Sequence, residues 1–76
     1  MEDENQTAAV VRRLGGGGAL ARKLGLTRQA VNLWVSRDRF HDAHVERILS
    51  LCIADNLPTD HPQLRKAKAQ RPRHAY

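Results

Sequence analysis

The stretch GALARKLGLTRQAVNLW, residues 18–34, decides the fold expected of this chain. Apolar residues at the spacing of one helical face stand on both sides of a glycine: Leu20, Ala21 and Leu24 before it, Val31 and Trp34 after it. The glycine, Gly25, is typical of a tight turn, because a left-handed backbone costs glycine little. Thr27 follows as a helix N-cap. The stretch therefore predicts two short helices joined by a turn.

Two further helices are expected around this pair, which makes the fold class all-α. Val, Ile, Thr and aromatic residues are too sparse for a sheet. The four expected helices are one between an N-cap at Thr7 and an end at Gly15, then about 18–24, 27–36 and 43–55. Residues 61–76 carry little apolar content besides Leu64. We therefore expect a disordered acidic N-terminus (1–6), a compact four-helix domain (7–57) and a basic flexible tail (58–76).

Charge points to a polyanionic partner or an acidic protein surface. The chain has 13 Lys and Arg against 8 Asp and Glu, a net charge of +5. The single cysteine, Cys52, and an N-terminus that does not resemble a signal peptide predict a cytoplasmic protein. The longest apolar run, residues 48–54, is too short to cross a bilayer, so no membrane contact is expected.

Other chemistry finds little support. His41 and His44 are spaced like a metal pair, but together with Cys52 they do not make a converging set of ligands. Residues 15–18 are all glycine, yet no Lys-Ser/Thr ending follows and no strand precedes them, as a phosphate loop requires. We expect no enzyme, no metal, no cofactor and no small-molecule ligand.

Residues 17–36 resemble the helix-turn-helix of Cro- and lambda-repressor-type regulators. The apolar positions, the small Ala21 four residues before Gly25, and the turn glycine itself fall where that motif has them. The similarity is closest to the small Cro-like group that includes the YdaS-type prophage regulators, on the elements "LGG", "ALARKLG" and "RQAVNLW". The resemblance implies a phage or prophage regulator of transcription that binds double-stranded DNA, with residues 27–36 as the helix that enters the major groove.

The residue chemistry of that helix agrees. With Val31 and Trp34 facing the core, four side chains face outward as candidates for reading bases: Arg28, Gln29, Asn32 and Leu33. Phosphate contacts are expected from a second set, namely Thr27, Arg22, Lys23, Arg37 and Arg39. The basic tail offers a third set that would contact phosphate or an acidic protein, namely Arg65, Lys66, Lys68, Arg71 and Arg73.

The sequence is compatible with two partners besides operator DNA. A homodimer on a two-fold operator is expected, since one domain makes few base contacts, with Leu57, Leu64 or the outer face of the fourth helix at the interface. The second hypothesis is a phage regulator that binds host RNA polymerase. Gly17 stands where the family often has a long polar residue, and Leu33 is apolar at a reading position. The helix-turn-helix would then be a scaffold, with function in residues 2–4 or 64–73.

Overall fold

The computed structural model describes residues 4–70, and all the regular secondary structure in this part of the chain is helical, without a strand. The expected all-α class is confirmed. The five α-helices are α1 (Gln6–Arg13), α2 (Gly17–Leu24), α3 (Arg28–Arg37), α4 (Val45–Ala54) and α5 (Pro62–Gln70). A short 3-10 helix, Asp42–His44, precedes α4 and is capped by the His41 ring, whose Nδ1 accepts from the Ala43 N–H at 3.1 Å. None of these helices is long and apolar enough to cross a bilayer.

The turn between α2 and α3 has the expected form. Gly25 ends α2 in the left-handed region, at φ 73°, which only glycine adopts without strain. Thr27 caps α3, since its Oγ1 accepts from the Ala30 N–H at 3.2 Å. Leu26 lies between them, partly buried against the core. The turn thus fixes the direction in which α3 leaves α2.

The core draws apolar side chains from all five helices, and it includes Phe40, which the sequence did not predict as a core residue. Trp34 is 7% exposed, in agreement with its helical phase, and its ring meets Phe40 edge-on at a centroid distance of 5.9 Å. Phe40 is 1% exposed although it stands in the charged connection RDRFHD. It anchors that connection in the core, so the end of α3 is not a free loop.

The N-terminal boundary differs from the prediction. Asn5, not Thr7, caps α1, with its Oδ1 accepting from the Ala8 N–H at 2.8 Å. Thr7 instead lies within α1, and its side chain is completely buried. Glu4 forms an ion pair with Arg12 at 2.7 Å. Residues 4–6 are therefore ordered parts of the fold rather than a disordered end, while residues 1–3 lie outside the described part.

The expectation of a flexible tail over residues 58–76 is wrong for residues 62–70. They form α5, whose Leu64 is fully buried and whose Ala67 is 7% exposed. The Gln63 side chain pairs with the backbone of Phe40 on both sides, accepting from its N–H at 2.6 Å and donating to its carbonyl at 2.9 Å. These hydrogen bonds order a segment whose composition alone predicts disorder, and residues 71–76 lie outside the described part.

The glycines at the start of α2 allow a paired stability test. A Cβ added at Gly18 or at Gly16 would meet no atom within 4 Å. Both sites therefore have room for a methyl group, and the backbone conformation decides the effect of the substitution. Gly18 is helical, whereas Gly16 has φ 97° and ψ 170°, a region that alanine avoids.

We expect Gly18→Ala to raise the unfolding free energy by about 0.5–1 kcal/mol. Gly16→Ala should lower it by about 1–3 kcal/mol. Denaturant melts of both variants measure the difference, and equal shifts would contradict these conformations.

Candidate nucleic-acid interface

The exposed face of α3 brings the four candidate base-reading residues together. Val31 is fully buried and Trp34 nearly so, which fixes the rotation of the helix. At 100° per residue the side chains opposite them form one continuous exposed face: Arg28, Gln29, Asn32 and Leu33. This face is convex, polar for most of its width, and held by a helix that is capped at its start and packed along its back.

Ser36 belongs to the same face and was not predicted from the sequence. It is exposed and lies seven residues after Gln29 and four after Asn32, which places it on their row. The spacing alone could have revealed it. A hydroxyl at this position can donate to or accept from either a base edge or a phosphate.

One edge of the α3 face lies against the start of α2. A Cβ placed on Gly17 would stand 3.7 Å from Asn32 Oδ1 and 3.9 Å from Arg28 Cγ, so the two helices approach closely there. Gly16, which precedes α2, provides no side-chain cap for the first backbone N–H groups. Those donors and the Arg28 side chain are therefore close together, an arrangement suited to an anion next to the α3 face.

The electrostatics of the surface are uneven. No acidic residue occurs from position 5 to position 37. Among residues 4–70, Arg22, Arg28 and Arg37 form no ion pair or hydrogen bond through their side chains. The arginines of α1 are different, because Arg12 is paired with Glu4, whose pKa the Arg12 hydrogen bond lowers, and Arg13 lies 3.7 Å from Asp60. Among residues 4–70, positive charge without a carboxylate partner lies on α2 and α3 and also on α5, through Arg65, Lys66 and Lys68.

The candidate phosphate contacts are all exposed, but they are not equivalent. Lys23 donates from Nζ to the Leu14 carbonyl at 3.4 Å, which turns it toward α1. Arg39 lies 3.4 Å from Asp42 Oδ1. Arg22 and Arg37 lack such partners, and the Thr27 oxygen accepts within its own helix, which leaves its hydroxyl proton to donate.

The cations predicted in the tail are fixed on a helix as far as residue 70. Arg65, Lys66 and Lys68 are exposed on α5, while Arg71 and Arg73 lie outside the described residues. Lys66 shares a groove with Arg39, at the end of the connection that follows α3. The acidic side chains of Asp42 and Glu46 also line this groove, so it is polar rather than strongly positive.

A second groove runs beside Leu33, which is 53% exposed. Its volume is about 370 Å³, and Trp34 and Phe40 contribute to its floor while Arg37 and Arg39 stand at its rim. Within residues 4–70 the only other large apolar side chain that is exposed is Ile53 on α4, at 45%. Leu33 therefore presents apolar surface next to unpaired positive charge.

Metal and thiol chemistry find no site in the described residues. No group of three His, Cys, Asp or Glu side chains within residues 4–70 could hold a metal ion. Cys52 is 1% exposed in the core, and burial raises the pKa of its thiol, which disfavours the reactive thiolate.

Comparisons with protein-family models, with curated proteins and with solved structures found no match. The side chains of α3 and of the helices around it are therefore the features that point to a function.

Proposed function

We propose that this protein is a sequence-specific regulator of transcription that binds double-stranded DNA, with α2 and α3 as a helix-turn-helix and α3 in the major groove. The observation that carries the proposal is the exposed face of α3. Arg28, Gln29 and Asn32 lie together there, on a helix whose other face is locked in the core, within a stretch free of acidic residues. An α-helix of this kind matches the width of the major groove.

Each side chain on the face suits a different feature of a base pair. Arg28 can donate two hydrogen bonds to the N7 and O6 atoms of guanine. Gln29 and Asn32 can both donate to and accept from adenine. Leu33 can pack against the methyl group of thymine, and Ser36 extends the row by one turn. The face therefore offers enough chemical variety to distinguish one short sequence from another.

The phosphate backbone would be held on both sides of that face. Arg22 and Arg37, whose charges are not neutralised within the fold, are the strongest candidates, and Lys23 and Arg39 would exchange their present partners for phosphate oxygens. Thr27 would donate its hydroxyl proton to a phosphate near the start of α3. Such contacts carry no sequence information but fix the register of the helix on the duplex.

A homodimer on a two-fold operator forms part of the proposal. Of the interface residues predicted from the sequence, Leu64 is completely buried within the chain and is therefore excluded. Leu57 is partly buried against the core. Ile53 on α4 is the best contact that remains, because 45% of it is exposed.

The direct test is selection from a random duplex library with the full chain. A DNA-binding regulator should enrich one sequence, arranged as an inverted repeat if it binds as a dimer. The triple variant Arg28→Ala/Gln29→Ala/Asn32→Ala serves as control and should enrich nothing related to that sequence. If the parent protein enriches no sequence over several rounds, the proposal fails.

Host RNA polymerase remains a second candidate partner, favoured by one observation. Leu33 and its neighbouring groove offer apolar surface rimmed by Arg37 and Arg39, which suits an acidic protein surface as well as DNA. A pull-down with purified polymerase, with Leu33→Glu as control, distinguishes polymerase binding from DNA binding. Polymerase binding that Leu33→Glu abolishes, without enrichment of any DNA sequence, would support this alternative.

The cations of α5 allow a test of non-specific binding. We expect Arg65→Gln/Lys66→Gln/Lys68→Gln to weaken binding about equally on specific and random duplexes. The slope of log K against log salt should become shallower by about 1 for each phosphate that the variant no longer neutralises. Substitution is preferable to truncation, because removal of α5 would strip Leu64 from the core.

The control for the α5 variant is Arg12→Gln, which removes a cation already paired with Glu4. It should leave the salt slope almost unchanged. Equal slopes for the parent chain and the triple α5 variant would show that α5 does not touch phosphate. Titrations of both duplexes at several salt concentrations provide the measurement.

A further inference from the structure

The two polar side chains buried most deeply in residues 4–70 are bonded to each other. Thr7 of α1 is completely buried and His61, just before α5, is 2% exposed. Thr7 Oγ1 lies 2.8 Å from His61 Nε2, across 54 residues of sequence. The His61 ring also packs against Phe40 at a centroid distance of 4.8 Å. This hydrogen bond joins α1 to the residue that precedes α5.

The hydrogen bonds of the ring fix the tautomer of its neutral form. Nδ1 accepts from the Gln63 N–H at 3.1 Å, so it carries no proton. In the neutral ring the proton then lies on Nε2, which donates to Thr7 Oγ1. A second proton would have to go on Nδ1, where it would face the Gln63 N–H. Protonation therefore breaks the bond that caps the start of α5.

Burial and the neighbouring carboxylates shift the pKa of His61 in opposite directions. Burial lowers the pKa of His61, while the carboxylates of Asp38, after α3, and Asp60, before α5, raise it, and the burial effect is the larger. Asp60 is in turn 3.7 Å from Arg13 of α1. Asp38 Oδ1 also accepts from the Thr7 N–H at 3.1 Å, so the network reaches the end of α3.

We propose that His61 is a proton-sensitive latch: a proton on Nδ1 removes the acceptor for the Gln63 N–H and places a charge in a buried site, so that α5 detaches from α1–α4, while α1–α4 stay folded. This proposal is independent of DNA binding. Because the folded state holds the neutral ring more strongly than the unfolded state does, the contribution to stability is complete above the unfolded pKa of about 6.5. It is lost as the pH falls through the lower folded-state pKa.

The distribution of the core allows α5 to detach while the other helices stay packed. Of the 15 buried apolar residues in the described part, α5 supplies two, Leu64 and Ala67. The remainder lie in α1–α4 and their connections, which retain Trp34, Phe40 and the turn at Gly25. Helices that bury few apolar side chains open before the rest of a fold does.

Amide hydrogen exchange of the full chain between pH 7.5 and pH 4.5 tests the latch. After correction for intrinsic exchange rates, protection of residues 64–70 should fall by up to about tenfold per pH unit below pH 6.5, until the folded-state pKa is reached. Amides of α2 and α3 should keep their protection over the same range. Loss of protection in all helices together, or no loss in α5, would overturn the proposal.

Two variants assign the effect to the ring. His61→Gln removes the titrating group, so the protection of α5 should become independent of pH even if it is lower throughout. His41→Gln is the matched control, because His41 also caps a helix through Nδ1 but is exposed. It should keep the parent's pH dependence. A pH response that survives His61→Gln would show that another group is responsible.

Discussion

Replacing Trp34 with alanine is expected to lower the unfolding free energy by about 3–5 kcal/mol. The indole is 7% exposed, lies between Phe40 at 5.9 Å and His44 at 5.7 Å, and fills the space behind α3. A domain of this size has a total stability of about 5 kcal/mol. The variant should therefore be largely unfolded at room temperature.

Leu33, the neighbour of Trp34 in sequence, provides the control for this prediction. It is 53% exposed, so Leu33→Ala should change stability by less than about 0.5 kcal/mol. Thermal and urea melts of both variants are monitored by circular dichroism, because Trp34→Ala removes the only tryptophan and with it the tryptophan fluorescence signal. A Trp34→Ala variant that melts cooperatively within a few degrees of the parent would place the indole outside the core.

Gln29→Ala is expected to weaken binding to the selected operator by about 1–3 kcal/mol, roughly 5- to 150-fold, if α3 reads bases. Binding to random duplexes should change far less, because phosphate contacts dominate there. The substitution removes no charge, and an exposed helical site tolerates alanine. Titrations against both duplexes at one fixed salt concentration, together with a melt, separate recognition from folding.

Gln70 is the matched control for Gln29. It is also an exposed glutamine on a helix, but it lies on α5. Gln70→Ala should leave the ratio of specific to random affinity unchanged. If Gln29→Ala weakens both duplexes equally, or neither, then α3 does not read sequence, and binding to RNA polymerase becomes the better proposal.

Local signals in the sequence predicted the centre of the fold well. The spacing of Leu20, Leu24, Val31 and Trp34 defines buried faces on α2 and α3, and Gly25 marks the turn between them. These features depend on neighbours in sequence, which is why they can be inferred without the structure. The same helical phase predicts which α3 side chains are exposed.

The errors occurred where distant residues decide the outcome. Helix α5 has too few apolar residues to be predicted by composition, yet Leu64 enters a core built by the other helices. Thr7 looks like an N-cap, but its hydroxyl bonds to His61, 54 residues away. Gln63 stabilises the connection around Phe40 in a way that no local pattern indicates. Such interactions exist only once the chain has folded.

The pairing of the α1 arginines with Glu4 and Asp60 has a kinetic consequence. It offsets the positive charge of α1, whereas the cations of α2 and α5 and most of those of α3 and its connection have no carboxylate partner within residues 4–70, so positive charge is distributed unevenly over the surface. A polyanion approaching through solution would turn the molecule before contact, which favours encounters in the productive orientation. The association rate constant would therefore depend on ionic strength more strongly than the dissociation rate constant does.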